Sequence, residues 1–315
     1  FGTAQTVAIP ANQFGLESEV KRFEDSILTT GKSEQPTSVW YVDRDNMGLT
    51  KDGTSWATAF TTIQAGVDAA SSGGGGEVWV AEGAYAASVN PVVTMKTNVF
   101  LYGGFIGIGA GGNETKRSQR NWNTHPTIIT GENARRCVIG ANNSVLDGFQ
   151  VINGRNTAMG AGLYINNSSS IKIINVVFSN NVVLGKKGTQ SSPLGGDAFG
   201  SCIYIANSSN MEIRSCEFKN NKTTAGDGVG DDMFRGGGGA WGGAIYSKSS
   251  IVSLEKCIFD SNSNTGGAGW PCGNSKGGAL CLDSSSLKLS MCEFRNNSSR
   301  GGGKRTIMSV WYPER

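Results

Sequence analysis

Residues Gly162–Asn181 read GLYINNSSSIKIINVVFSNN, and the pattern returns as CIYIANSSNMEIRSCEFKNN from Cys202, AIYSKSSIVSLEKCIFDSN from Ala244 and ALCLDSSSLKLSMCEFRNN from Ala279. Alignment superposes Phe178, Phe218, Phe259 and Phe294 at spacings of 40, 41 and 35 residues, within the range of solenoid repeats. Each unit opens with small residues and a Leu or Ile, passes a Ser-rich turn, and continues in two short alternating runs. The pairs Ile171/Ile173, Met211/Ile213, Val252/Leu254 and Leu287/Leu289 carry the alternation. A period of two belongs to strands, and the runs are too short for helices. Some 20 residues of strand and turn bury no apolar face alone, whereas stacking one unit on the next does. The expected fold is all-β, a right-handed parallel β-helix with coils about 4.8 Å apart. Phe178, Phe218, Phe259 and Phe294 should then form one inward column. Asn181, Asn221, Asn262 and Asn297 should form another, pairing side-chain amides along the axis at an inward corner.

Less regular coils precede the repeats at Glu77–Tyr85, Asn98–Phe105, Thr127–Thr130 and Val145–Ile152. Before them, Thr61 and Gln64 have capping-box spacing, and Phe60, Ile63 and Val67 share a helical face. A helix there can cover the open strand edges of the first coil. Leu16, Val20, Phe23 and Ile27 form a second amphipathic stripe. The chain thus divides into an extension with a short amphipathic helix (1–38), a first strand and short N-terminal helical cap (39–71), and the β-helix (72–315). Thr306–Tyr312 reads as a strand that either caps the last coil or leads into a longer solenoid.

Composition narrows the function. Forty-six glycines with 17% charged residues and no Gly at every third position exclude collagen. The net charge of +3 and the lack of a long basic stripe argue against a nucleic-acid partner. No stretch approaches the roughly 20 apolar residues of a transmembrane helix. Asn-x-Ser/Thr occurs at Asn166, Asn167, Asn207, Asn221 and Asn297, which turn chemistry explains better than glycosylation.

GGAIY at Gly242–Tyr246, GGALC at Gly277–Cys281 and C-x-F-x-x-N at Cys216, Cys257 and Cys292 resemble the repeats of the polymorphic outer-membrane protein family. SWATAFTTIQAGVDAA with GEVWVAEGAY and LYGGF looks like the N-terminal cap and first coils of large secreted bacterial β-helix proteins. The resemblance spans Val39 to Asn297 and implies a secreted or cell-surface passenger or adhesin. Carbohydrate-active enzymes share the solenoid, so the fold leaves the activity open.

Candidate chemistry is sparse. His125, the single histidine, precedes a proline in a turn and has no nucleophile elbow to serve. Cys216, Cys257 and Cys292 lie in phase with the phenylalanines and should be buried reduced thiols. Cys272 could pair with Cys281 in an oxidising compartment, and Cys137 and Cys202 read as core. Asp43, Asp45 and Gly48 have the opening spacing of a calcium loop, but Met47 takes a ligand position and no glutamate closes it. A polar turn is favoured over a structural calcium, and no other cofactor is expected. Asp231 and Asp232 follow Gly230 in a Gly-rich loop without the remaining motifs of β-helix glycosidases.

Three long segments, Val182–Gly200, Lys222–Gly239 and Ser263–Lys276, enter at one point of the repeat and must pile up on one side. Trp241 and Trp270 sit there among glycines, with Asp227, Asp231, Asp232 and Arg235 nearby. These six residues are the expected ligand site, for a polysaccharide or a surface protein, with folding back onto the coil as the equal alternative for each indole. Recognition is the leading reading. A polysaccharide lyase or glycoside hydrolase, using bases such as Lys222, Arg235 or Lys276, is the second. A structural spacer is the third.

Overall fold

The structure, a computed structural model, describes residues 38–229 and 236–303. The amphipathic stripe at Leu16–Ile27 and the strand at Thr306–Tyr312 lie outside the described residues, as do Asp231, Asp232 and Arg235.

The described strands form five parallel sheets of eight, seven, six, five and three strands. Every coil from Leu163 onward visits the sheets in one order. One coil comprises Leu163–Asn166, Lys172–Ile174, Val177–Ser179, Val182–Leu184 and Ala198–Phe199, and the next begins at Ile203–Ala206. This is the right-handed parallel β-helix the repeats predict. Its register is that of the sequence alignment: Phe178 pairs with Phe218, Phe218 with Phe259 and Phe259 with Phe294. Their rings stack at 5.2, 4.5 and 4.6 Å between centroids, within 7° of parallel. A second inward column on the largest sheet runs Leu146, Ile173, Ile213 and Leu254, all buried.

Corners are turned by single residues in the left-handed region. Asn175, Ser215, Lys256 and Met291 (φ 50–53°) make one corner of successive coils, and Asn180, Asn220, Ser261 and Asn296 (φ 54–57°) the next. Asn adopts this conformation at little cost, which accounts for its abundance at the turns. The residue after the second corner is the ladder asparagine. Asn221 Nδ2 donates to Phe178 O (3.0 Å) and Asn262 Oδ1 (2.9 Å), while its Oδ1 accepts from the N–H and Nδ2 of Asn181 (2.9 and 3.1 Å). Asn262 repeats the pattern with Asn297. Asn221 is fully buried, and its amide serves the ladder rather than a glycan. A second ladder joins Ser168, Ser208, Ser250 and Ser285 through backbone N–H to Oγ bonds. The sequence showed it only as a Ser-rich turn.

At the N-terminal end, helix α1 (Ile63–Ser72) buries Ile63, Gly66, Val67 and Ala70 over the first strands. Its N-cap is Thr62 rather than Thr61: Thr62 Oγ1 accepts the Ala65 N–H. Gln64, expected in a capping box, instead pairs in both directions with the backbone of Thr94 (2.7 and 3.2 Å). Strand pairing offers it a complete amide partner, which outcompetes the cap.

The described parts of the three long segments pack against one another. Each opens with a strand and then runs as a glycine arm locked to its neighbours. Gly196 N–H donates to Lys186 O, Gly226 to Gly196, Gly238 to Gly226, Gly267 to Gly238, Gly273 to Gly267 and Gly302 to Gly273, at 2.7–2.9 Å. Outgoing and returning arms alternate along this chain of bonds, building a slab of backbone beside the solenoid. A methyl built on Gly226 would lie 1.8 Å from Lys186 O, and one on Gly267 1.8 Å from Gly226 O. The Cα hydrogens therefore point at carbonyl oxygens, at about the distance of weak C–H···O contacts, and no side chain fits. Between slab and coils lies a small core of Ala161, Val183, Ala198, Ala225 and Ala240.

Cys216 and Cys257 are buried as expected, and Cys292, in the last described coil, is half-buried. Burial pushes the Cys137 thiol up to about 12 and those of Cys202 and Cys216 well above the ordinary thiol range. Cys272 and Cys281 are not bonded to each other.

Two outcomes follow. Gly267→Ala should destabilise the protein by about 3 kcal/mol or more. Gly303→Ala, whose methyl meets nothing within 4 Å, should stay within about 0.5 kcal/mol; equal urea midpoints for the two variants would contradict the slab. Alkylation of the native protein, read by mass spectrometry, should label Cys272, Cys281 and Cys292. It should spare Cys137, Cys202, Cys216 and Cys257 until denaturant is added.

Candidate functional site

The six-stranded sheet carries an outward aromatic at the same place in three successive coils. Tyr164, Tyr204 and Tyr246 are register partners, stacked at 5.4 and 5.7 Å. The Arg136 guanidinium closes one end of the column, 4.6 Å over the Tyr164 ring, held by bonds to Gly160 O and Met159 O. The adjoining three-stranded sheet adds a second column, Phe199 on Trp241 at 4.7 Å and 13°. Phe199 also meets Tyr246 at 4.8 Å. The two columns thus form the walls of one angle.

In the next coil both columns stop. Trp241 pairs with Lys276 and Tyr246 with Cys281. Replacing rings by a flexible amine and a small thiol leaves a groove of about 450 Å³, walled by Trp241, Tyr246, Phe199 and Tyr204 and rimmed by Lys248, Lys276 and Asp283. Tyr246 OH donates to Asp283 Oδ2 at 2.9 Å. Burial and, secondarily, this carboxylate hold the Tyr246 phenol well above its ordinary pKa, and burial also raises Tyr204. Apolar ring surface, two amines and one carboxylate suit a ligand with C–H faces and polar edges. Asp283 is the one carboxylate lining the groove. The pair that glycoside hydrolysis needs, about 5–9.5 Å apart, is not assembled there among the described residues.

Of the residues singled out in the sequence, Trp241 lines this groove. It lies half-buried in the strand Ala240–Trp241, not in an open loop. Trp270 is exposed at the tip of a glycine arm, 42% accessible, and is not among the groove residues. Asp227 is spent on the slab, its Oδ1 accepting the Ala268 N–H (2.8 Å) and its carbonyl the Gly188 N–H. Asp197 does the same for Gly239. His125 sits 3.0 Å from Glu82 Oε2, on the early coils. The Asp43–Gly48 turn is closed by its own side chains: Asp43 Oδ1 accepts the Asp45 N–H and Asn46 Oδ1 the Gly48 N–H, and Asp45 points to solvent.

Sequence reasoning missed Phe199, Tyr204, Tyr246 and Asp283. The signal was present for the tyrosines: LYI, IYI and IYS place Tyr between inward residues at one repeat position, so the ring must face out.

Fold and groove define the class, a parallel β-helix solenoid with an aromatic-walled groove on its flank. The family model described as "Protein of unknown function (DUF1565)" matches residues 46–233, and the chain belongs to this family. Among solved structures the chain is similar to a glycosyl hydrolase candidate from Parabacteroides merdae ATCC 43184. That similarity is at 13% identity and a TM-score of 0.27, covering 75% of this chain and 84% of that one. No curated protein matches. No helix among the described residues is long and apolar enough to cross a membrane.

Asp283→Asn should bring tyrosinate absorbance in at lower pH, because the charge opposing Tyr246 ionisation is removed while burial remains. An unchanged alkaline titration would separate Tyr246 from Asp283.

Proposed function

We propose that this protein is a secreted or cell-surface recognition module that binds a glycan in the groove between Trp241 and Tyr246. The observation that carries the reading is the termination of two aromatic columns at one level, where Lys276 and Cys281 replace rings. Stacked rings elsewhere cover one another, whereas here a sugar ring can continue the stack, its C–H face against Trp241. Lys248, Lys276 and Asp283 stand at the edges where hydroxyl or carboxylate groups would lie. The resemblance of the repeats to polymorphic outer-membrane proteins supports surface display. Among the described residues the groove presents one carboxylate, already bonded to Tyr246, which supports binding as the first reading. Trp270 and Asp227 are the proposed outer contacts of a longer ligand, and Asp231, Asp232 and Arg235, close to them in sequence, are proposed with them.

A glycan array followed by affinity electrophoresis tests this. Trp241→Ala should weaken binding at least tenfold, about 1.4 kcal/mol, with circular dichroism unchanged. Trp270→Ala shows whether the contact extends to the arm tip. Full binding by a folded Trp241→Ala/Lys276→Ala double variant would overturn the proposal. Unsaturated products from uronate-containing polysaccharides would move the function to a lyase.

A further inference from the structure

The N-terminal cap holds two buried carboxylates without a cationic partner among the described residues. Asp43 is 2% and Glu114 5% exposed, and no described Lys, Arg or His lies within ion-pair distance of either. Asp43 Oδ1 and Oδ2 accept the N–H groups of Asp45 (2.9 Å) and Gly109 (3.1 Å). Glu114 Oε1 accepts the Ile106 N–H at 2.5 Å, while its Oε2 is buried with no hydrogen-bond partner.

Both side chains abut one turn, Gly107–Gly112. A methyl on Gly107 would lie 2.6 Å from Asp43 Oδ2. One on Gly112 would lie 2.8 Å from Glu114 Oε2 and 2.7 Å from the Gly107 carbonyl oxygen. That carbonyl accepts the Gly112 N–H and keeps a second lone pair. Burying ionised carboxylates without compensation is expensive, and a carboxylate oxygen without a donor is the strongest sign of a missing positive charge.

We propose that a hard divalent cation of the calcium type binds at this turn, through Glu114 Oε2, Asp43 Oδ2, the Gly107 carbonyl and water. The oxygens against the turn belong to two carboxylates and the main chain, all-oxygen chemistry that suits calcium rather than zinc, and no group of three His, Cys, Asp or Glu side chains is found among the described residues. The site shares only Asp43 with the calcium-like spacing in the sequence. Asp45 and Gly48 take no part, and Glu114 arrives from 71 residues downstream. Such an ion would tie the end of the first strand to the loop that carries Arg117 and Arg120 over Tyr102, making the cap metal-dependent independently of any ligand in the groove.

Terbium provides the probe, because Trp56 Nε1 donates to Glu114 O at 3.0 Å and places an indole beside the site to sensitise its emission. Titration of the full chain with Tb³⁺ should give saturable emission at one equivalent, displaced by Ca²⁺. Glu114→Gln should abolish it, Asp43→Asn should weaken it, and Glu132→Gln on the surface should leave it unchanged. Calcium at a hundredfold excess over Kd should raise the Tm of the wild type by several degrees relative to chelator, and not that of Glu114→Gln. Should Glu114→Gln fail to fold by circular dichroism, Asp43→Asn carries the comparison. Two results would overturn the proposal: no saturable emission together with no calcium effect on Tm, or unaltered emission in a folded Glu114→Gln.

Discussion

Every coil must tolerate a copy of itself about 4.8 Å away along the axis, and the rest of the structure depends on that constraint. It admits only side chains that pair with themselves at one strand spacing. Phenylalanine does so by parallel stacking of Phe178, Phe218, Phe259 and Phe294. Asparagine does so because its amide carries donor and acceptor on one plane, so that in Asn221 and Asn262 the Oδ1 receives two bonds and the Nδ2 gives two. Serine does so by accepting the N–H of the preceding coil's serine. A charged residue could not repeat in any of these buried columns without unfavourable like-charge contact.

The glycine slab extends the constraint to backbone alone. Its arms alternate in direction and approach until a Cβ would overlap a carbonyl oxygen, so affinity between arms comes from N–H···O bonds with C–H···O contacts between them. Such a layer gives up side-chain burial and accepts the high ordering entropy of glycine. The described parts of the long segments therefore pack backbone against backbone. The slab adjoins the strand Ala240–Trp241, and Asp197 and Asp227 each brace it by accepting a backbone N–H.

Function is most legible where self-stacking stops. Tyr164, Tyr204 and Tyr246 repeat faithfully and then give way to Cys281, and Phe199 and Trp241 give way to Lys276. A break in a column costs contact surface on the rings it uncovers, and both breaks fall in the same coil. The cap shows the opposite anomaly: a carboxylate oxygen on Glu114 is enclosed without anything to bond it, whereas the amides of the asparagine ladder bond one another.

From the sequence alone came the solenoid, its register, the phenylalanine and asparagine columns and the cap helix, because each rests on local period and on residue types that recur at fixed spacing. Local pattern also implied the outward tyrosines. The slab was not legible, since a glycine-rich stretch reads identically whether it is mobile or packed. Only contact between arms separated by dozens of residues decides the matter. Asp227 looked like a ligand group for the same reason: its partner, the Ala268 N–H, lies in the next coil. Trp241 and Trp270 looked equivalent by composition, and tertiary packing put one in a strand against Phe199 and the other at an exposed tip. That Asp43 and Glu114 abut the same glycine turn was likewise decided by the fold, because sequence spacing relates residues only within a continuous loop.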